Sequence, residues 1–450
     1  APRPGLCQSE QPATRYAGVH VQGMQWVNGP QDDGSIVGSN VASLIAPGQS
    51  TAYHLLAEKE GAYVISGGPD LGGQGGSGAI ASGLFGVLNV EPAVATWYRN
   101  QLTRDEMLWA ADTTKDLDSS DCAAANDPAP GFACGGQPIL DYGATYPAGH
   151  PYAGKPILNI LDGSEIFHNE INAVIVGPGP NGTFPNDPAP IEVYPDRGEP
   201  FREFTIVFHD EVKTVQAFPG WFDALPFTLG SVKDGFAINY GTGGIGAEII
   251  ANRLGVGPMH ECVECKYEEF FLTSWVVGDP AMVVDVPANA GLEALAPGET
   301  PSAADLGPKA TRAFYPDDPS NVWHGYLNDR TKVRNVHVGT EHHIFHLHAH
   351  QWLFAAVDDN SGYVDAQALG PGSAYTYEIT YGGGGNRNKT AGDSIFHCHF
   401  YPHFAQGMWG LWRVHDTFEL GSQLGPDGRV LARGLLDPEI CSGATCGGYD

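Results

Sequence analysis

The 450-residue chain lacks a long apolar run and is poor in basic residues. No stretch approaches the ~18–20 consecutive apolar residues that cross a bilayer, which predicts that no segment spans a membrane. Lys and Arg number 23 against 52 Asp and Glu, giving a net charge of −29. Such a surface repels phosphate backbones and argues against nucleic acid as a partner. It concentrates small cations instead, although solubility alone also explains it.

The sequence is also poor in long periodic helical segments, and glycine and proline recur along most of it. The 60 glycines and 34 prolines favour many short strands joined by turns. Phe204, Ile206 and Phe208 alternate with other residues, which is typical of a half-buried strand. We therefore predict an all-β fold built from β-sandwiches, with about three domains from the length alone.

Two histidine-rich segments lie about fifty residues apart. The first reads HHIFHLHAHQW from His342, and the second reads HCHFYPHFAQGM from His397. Side chains two apart on a strand share a face, so His346 and His348 project together, as do His397 and His399. Cys398 then points to the opposite face of its strand.

These parities predict two metal sites back to back. His343, Cys398 and His403 supply two imidazoles and a thiolate, and Met408 can approach as a weak axial thioether, which is the blue-copper set. The four histidines on the other face could hold a copper cluster. Structural zinc sites favour several cysteines at closer spacings, so zinc is the weaker interpretation. The chain bonds that join Cys398 to its two neighbours give electrons a short route between the sites.

The patterns H-x-x-H-x-H and H-C-H-x₃-H-x₄-M resemble the two carboxy-terminal copper signatures of the multicopper oxidases. The resemblance covers about the last 110 residues and implies a chain of cupredoxin-like Greek-key domains. It implies type 1 copper at His343, Cys398, His403 and Met408. It also implies type 2 copper at His346, the type 3 pair at His348, His397 and His399, and catalytic roles for Cys398, His397 and His399. We interpret His350, which matches no ligand of the family, as structural.

The domain boundaries expected on this basis are 1–135 for an incomplete cupredoxin-like domain plus linker, 136–300 for a second domain, and 301–450 for the copper-binding domain. The resemblance implies an enzyme that takes single electrons from a donor at the type 1 copper and reduces dioxygen to water at the trinuclear cluster.

Two amino-terminal H-x-H motifs of the family are absent. Their places read His20-Val-Gln22 and His54-Leu-Leu56, and neither leucine nor a Gln amide replaces an imidazole well. In addition, only a short turn-like segment precedes the stretch that contains His20. We therefore expect a second polypeptide, or an amino-terminal fragment of the same precursor, to supply the remaining histidines.

Several electron donors fit the sequence. The acidic surface, with Asp32 and Asp33 in QDDG, suits a hard divalent cation such as Mn(II) or Fe(II), and part of the middle segment loosely resembles bacterial manganese oxidases. A laccase-like phenol oxidase is the alternative, although Met408 predicts a low to moderate type 1 potential. A blue-copper electron-transfer protein without a working cluster is a further alternative.

With Cys398 set aside as a ligand, seven of the eight cysteines remain. Three pairs are close enough in sequence to form disulfides, although the connectivity is open: Cys122 and Cys134, Cys262 and Cys265, and Cys441 and Cys446. Such pairs suit an oxidising compartment, so we expect a secreted, periplasmic or cell-surface protein. Cys7 is left over. The chain starts with APRPG, which predicts that any secretion signal has been removed.

Overall fold

A computed structural model describes a part of the chain that is almost entirely strands and loops. The described residues are 16–35, 44–67, 84–100, 102, 104–115, 130–131, 139–168, 171–177, 198, 200–212, 235–238, 283–284, 312–313, 322–339, 341–400, 403 and 408–415. Within these ranges there is one α-helix, α1 (Arg104–Trp109), and one 3-10 turn (Pro30–Asp32). The all-β prediction is confirmed.

The strands of the described residues, in chain order, are β1 (Val19–Val21), β2 (Gln25–Trp26), β3 (Leu55–Leu56), β4 (Gly61–Gly67), β5 (Phe85–Val90), β6 (Thr96–Arg99), β7 (Leu161–Asp162), β8 (Glu165–Ile166), β9 (Ala173–Val176), β10 (Phe201–Val212), β11 (Gly235–Ile238), β12 (Val283–Val284), β13 (Arg312–Ala313), β14 (Val322–Tyr326), β15 (Thr331–His337), β16 (His343–Leu347), β17 (Trp352–Leu353), β18 (Tyr363–Val364), β19 (Ala366–Leu369), β20 (Ala374–Glu378), β21 (Gly392–Cys398) and β22 (Trp409–His415).

Two large sheets face each other as a β-sandwich. One has the strand order β20-β15-β10-β9-β6, with β11 pairing to β10, and the other has the order β14-β22-β21-β16-β19. Phe204, Ile206 and Phe208 of β10 pack in one apolar core with Phe345 of β16 and Phe396 of β21. Apolar side chains at every second position of a strand face the opposing sheet, which is why these residues form the core.

A third layer covers the outer face of the first sheet. Strands β1, β4 and β5 form a small sheet, and Ala62 and Val64 of β4 pack against Val207 of β10 and Val336 of β15. Glu203 and Thr205 of β10 also lie beneath this layer and are buried. The described side chains on both faces of β10 are therefore covered, and the strand is not half-buried. The alternation in the sequence identified the core face correctly but not the cover on the other face.

Strand β10 connects parts of the chain that lie far apart in sequence. It pairs in parallel with β15, with Arg202 opposite Thr331 and Phe208 opposite His337. This pairing crosses position 300, and the domain boundaries stay a prediction. Among the described residues, no helix has the length and apolarity required to cross a bilayer.

Candidate metal centre

Strands β16 and β21 bring the two histidine-rich segments side by side. They are antiparallel, with Phe345 opposite Cys398 and His346 opposite His397. Successive side chains leave a strand on opposite faces, so each strand presents one set of side chains to the sandwich core and another outward. His343 and Cys398 are fully buried on the core side, whereas His348 and His399 are exposed on the other.

The buried side gathers one sulfur and two imidazole nitrogens. Cys398 Sγ lies 3.6 Å from His343 Nδ1 and 3.4 Å from His403 Nδ1. The two Nδ1 atoms are 3.0 Å apart. Cys398 is a free thiol with 0% of its surface exposed, so the three candidate ligand atoms converge around a sulfur that water does not reach.

Met408 lies in the same apolar core as Cys398. The backbone N–H of Cys398 donates to the carbonyl of Met408 (3.0 Å), and the N–H of Met408 donates to the carbonyl of His403 (3.1 Å). These two bonds tie together the ends of the segment that carries Cys398, His403 and Met408. The Met408 side chain is therefore buried in the same core as the Cys398 thiol.

The outward side gathers four imidazoles. The ring of His346 lies within 4.9–5.3 Å of the rings of His348, His397 and His399, measured between centroids. His348 Nε2 and His397 Nε2 are 3.2 Å apart. The structure thus brings together all four histidines that strand parity places on one face.

Backbone carbonyls fix which nitrogens of this face are available. His346 Nδ1 lies 2.8 Å from the carbonyl of Asp365, and His397 Nδ1 lies 2.8 Å from the carbonyl of Cys398. A carbonyl only accepts, so each Nδ1 carries the hydrogen and each Nε2 keeps its lone pair. Both Nε2 atoms are therefore suited to bind a cation.

Burial keeps several of these imidazoles neutral. It lowers the pKa of His397 to about 4 and also lowers the pKa values of His348 and His403. A metal ligand must be an unprotonated imidazole, so these three rings are ready to bind at pH 7. Burial also raises the pKa of the Cys398 thiol, and coordination to a cation is what converts such a thiol to the thiolate.

The donor set fits copper. Two imidazoles, a thiol and a nearby thioether make the set that copper takes in blue electron-transfer sites, and clustered imidazoles suit further copper ions. The ligand roles of His343, Cys398, His403, Met408 and the four outward histidines stay a prediction. Of the eight cysteines only Cys398 lies in the described part of the chain, so the expected disulfide pairs and Cys7 fall outside it.

The amino-terminal histidines are placed differently. His20 Nδ1 lies 2.9 Å from Asp33 Oδ1, and Asp33 also accepts hydrogen bonds from the indole of Trp26 and the backbone of Ser35. His54 is exposed, and its backbone N–H donates to Asp32 (3.0 Å). The two carboxylates of QDDG are thus buried and serve the local turn. The prediction that Asp32 and Asp33 belong to an acidic surface suited to a cation is wrong, because the turn buries both carboxylates.

Sequence reasoning missed two carboxylates beside the buried site. Asp210, near the end of β10, lies 2.9 Å from His343 Nε2, and Glu341 lies 3.3 Å from His403 Nε2. Glu341 stands two residues before His343, so its proximity could have been suspected from the sequence. Asp210 is 133 residues away, and only the tertiary fold brings it there.

The chain shows limited similarity to known proteins. No protein-family model matches it. Over 98 residues it is 28% identical to a probable nitrite reductase-hydroxylamine oxidoreductase fusion protein of Kuenenia stuttgartiensis, a match that covers 22% of this chain and 11% of the relative. The chain therefore spans about a tenth of the length of that curated relative.

Several similar solved structures are multicopper oxidases. A blue copper oxidase from Nitrosomonas europaea is 12% identical over 89% of this chain and 70% of that chain, with a TM-score of 0.38. A multi-copper oxidase from Pediococcus acidilactici is 20% identical over 22% of each chain, with a TM-score of 0.18. The chain thus spans about a fifth of the latter. At these values the likenesses carry no conclusion about activity, which depends on the geometry of the site.

Proposed function

We propose that this chain is the copper-binding part of an oxidoreductase of the multicopper oxidase type. One observation carries the proposal: the buried Cys398 thiol has two imidazole nitrogens at 3.4 and 3.6 Å, while His397 and His399 on either side of it turn to the opposite face. That arrangement places two distinct donor sets one residue apart, on the two faces of a single strand.

Each donor set has a separate role in the proposal. His343, Cys398 and His403, with Met408 as axial thioether, would hold the type 1 copper. His346 would bind the type 2 copper, and His348, His397 and His399 the type 3 pair. When bound, copper accepts electrons one at a time and supplies them to dioxygen, which is reduced to water.

The chain itself contributes three things to this chemistry. The sandwich core excludes water from the thiol of Cys398. Backbone carbonyls orient His346 and His397 so that their Nε2 atoms face outward. The covalent links from Cys398 to His397 and His399 provide a through-bond path between the two faces, and on this ground we assign catalytic roles to these three residues.

The electron donor in the proposal is a reducing metal ion such as Mn(II) or Fe(II). The net charge of −29 favours the approach of cations over anions. His403 is the point of entry that the geometry favours, since its side chain is 10% exposed while that of His343 is 0% exposed. A phenol, as in a laccase, is the competing donor.

A partner completes the outward site in this proposal. Four histidines stand on the exposed face of β16 and β21, whereas the stretch around His20 and His54 offers no H-x-H motif. A second polypeptide or an amino-terminal fragment would supply the other imidazoles. A secreted, periplasmic or cell-surface location agrees with the predicted disulfides.

A second candidate is an electron-transfer protein that uses the blue copper alone. The residues His20-Val-Gln22 and His54-Leu-Leu56, which stand in place of the two H-x-H motifs, favour it. It gives no reason for the close approach of His348 Nε2 and His397 Nε2. We therefore rank it second.

Copper content and dioxygen uptake test the proposal. The full chain, with any polypeptide that copurifies, is loaded with copper and supplied in turn with Mn(II), Fe(II) and a phenol. We expect uptake with a metal ion, its loss in His346→Ala, and no change in the control His54→Ala. A blue protein that takes up no dioxygen with any donor supports electron transfer instead. A full set of type 1, type 2 and type 3 copper on the chain alone contradicts the shared cluster.

A further inference from the structure

A buried carboxylate stands directly behind His343. Asp210 Oδ2 lies 2.9 Å from His343 Nε2, and both side chains are 0% exposed. A carboxylate accepts, so Nε2 carries the hydrogen and the Nδ1 lone pair is left on the side of Cys398 Sγ, 3.6 Å away.

The fold closes around this carboxylate. The backbone N–H of Glu341 donates to the same Oδ2 at 2.9 Å. A Cβ at Gly339 would lie 2.2 Å from Oδ2, so the chain between β15 and β16 passes too close for any larger residue. His337 packs on His343 with 4.5 Å between ring centroids, and its own nitrogens are used by Gly339 N–H and the carbonyl of Glu341.

We propose that Asp210 is a positioning residue of the type 1 centre, which fixes the Nδ1-binding tautomer of His343 and lowers the reduction potential of the bound copper. The inference rests on the proposed copper site. It assigns a role to a strand that carries none of the predicted ligands.

The physical reason is the placement of a negative charge. A carboxylate bound to the outer nitrogen of a ligating histidine orients the ring and makes it a stronger donor. In a site closed to water its field is weakly screened, and it stabilises Cu(II) more than Cu(I) because Cu(II) carries the larger charge. The predicted result is tighter Cu(II) binding and a lower potential.

The second histidine of the centre offers a matched comparison. His403 Nε2 also faces a carboxylate, that of Glu341, at 3.3 Å. The Glu341 side chain is 52% exposed, so water screens its charge and competes for its hydrogen bonds. Removing the charge of Glu341 should therefore have a much smaller effect than removing that of Asp210.

The test compares Asp210→Asn, Asp210→Ala and Glu341→Gln in the full chain. Cu(II) and Cu(I) dissociation constants are measured by competition with chelators, and the midpoint potential by optical titration. We expect Asp210→Ala to weaken Cu(II) binding about 10–100-fold. We expect Asp210→Asn to raise the midpoint potential and to leave the affinity for Cu(I) almost unchanged. A tenfold loss of affinity for Cu(II) alone corresponds to a rise of about 59 mV. Glu341→Gln should have dissociation constants and a midpoint potential close to those of the unsubstituted protein.

A metal-free measurement separates this inference from the copper proposal. Nitrogen-15 NMR of histidine-labelled apoprotein, with His343→Ala to assign the signal, should show His343 with hydrogen on Nε2, and Asp210→Ala should remove that preference. If Asp210→Asn and Glu341→Gln give the same potential, or if His343 keeps its tautomer in Asp210→Ala, the role of Asp210 is refuted. If His343 carries its hydrogen on Nε2 but the chain binds no copper, both the effect of Asp210 on the bound copper and the proposed function are contradicted.

Discussion

At the scale of single residues, His350 of the first motif has a structural role: it holds the backbone next to the outward histidines. Its Nδ1 donates to the carbonyl of His348 (2.9 Å), and its Nε2 accepts from the N–H of Gly385 (3.0 Å). The ring stacks on Trp412 at 4.4 Å. Burial lowers the pKa of His350 to about 4, so the ring is neutral at pH 7 and offers one donor and one acceptor. Both are used by the backbone.

His350→Leu tests this role. The substitution keeps an apolar side chain but leaves the carbonyl of His348 and the N–H of Gly385 without their partner. An unsatisfied buried group costs about 1–3 kcal/mol, so we expect the free energy of unfolding to fall by several kcal/mol. Urea unfolding measures this free energy. The control is His54→Ala, a substitution of an exposed residue, whose unfolding free energy should lie within about 0.5 kcal/mol of the unsubstituted chain's. Equal stability of the two variants would contradict the account.

At the scale of elements, strand periodicity explains how much of the site could be predicted. Because the period of a strand is two, the letters H-x-x-H-x-H and H-C-H alone separate His343 and Cys398 from His346, His348, His397 and His399. The pairing of β16 with β21 then follows from the need to bury the alternate apolar positions, such as Phe345 and Phe396.

Contacts between distant segments were beyond that reasoning. The outer face of β10 carries Glu203 and Thr205, which a local pattern assigns to solvent, yet Asn89 of β5 donates to both of them at 3.0 and 2.8 Å. The position of Asp210 behind His343 depends on the parallel pairing of β10 with β15. Neither a propensity nor a motif contains that information. The turn that buries Asp32 and Asp33 was missed for a similar reason, since His20 and Trp26 supply its bonds from outside the turn.

At the scale of the whole molecule, a buried ionic network joins the small outer sheet to the central sheet. Arg334 of β15 is bound by Glu203 of β10 at 2.8 Å, by Glu60 at 2.7 Å and by Glu91 at 3.3 Å. Lys332 also binds Glu60. Burial, together with the charge of Glu203, raises the pKa of Glu91 to about 8. The network therefore holds a proton that an unfolded chain releases.

This proton makes stability depend on pH. Glu91 has a higher pKa in the folded chain than its ordinary 4.5, so its contribution is complete below that value and is lost as pH rises to about 8. We expect Glu91→Gln to flatten the decline in unfolding free energy over this interval, because its side chain does not titrate. Urea unfolding at a series of pH values measures the slope. The exposed Glu165→Gln serves as control, and a slope unchanged in Glu91→Gln would count against the network.

In the proposed type 1 site, Cys398 binds copper as a thiolate from the core side of its strand. The visible absorption of the copper-loaded full chain tests this binding, since a copper–thiolate bond in such a site is intensely coloured. We predict a blue protein whose colour is abolished by Cys398→Ser and retained by His348→Ala, which removes an imidazole from the opposite face. A fully loaded chain that is colourless, or a blue colour that survives Cys398→Ser, would contradict it.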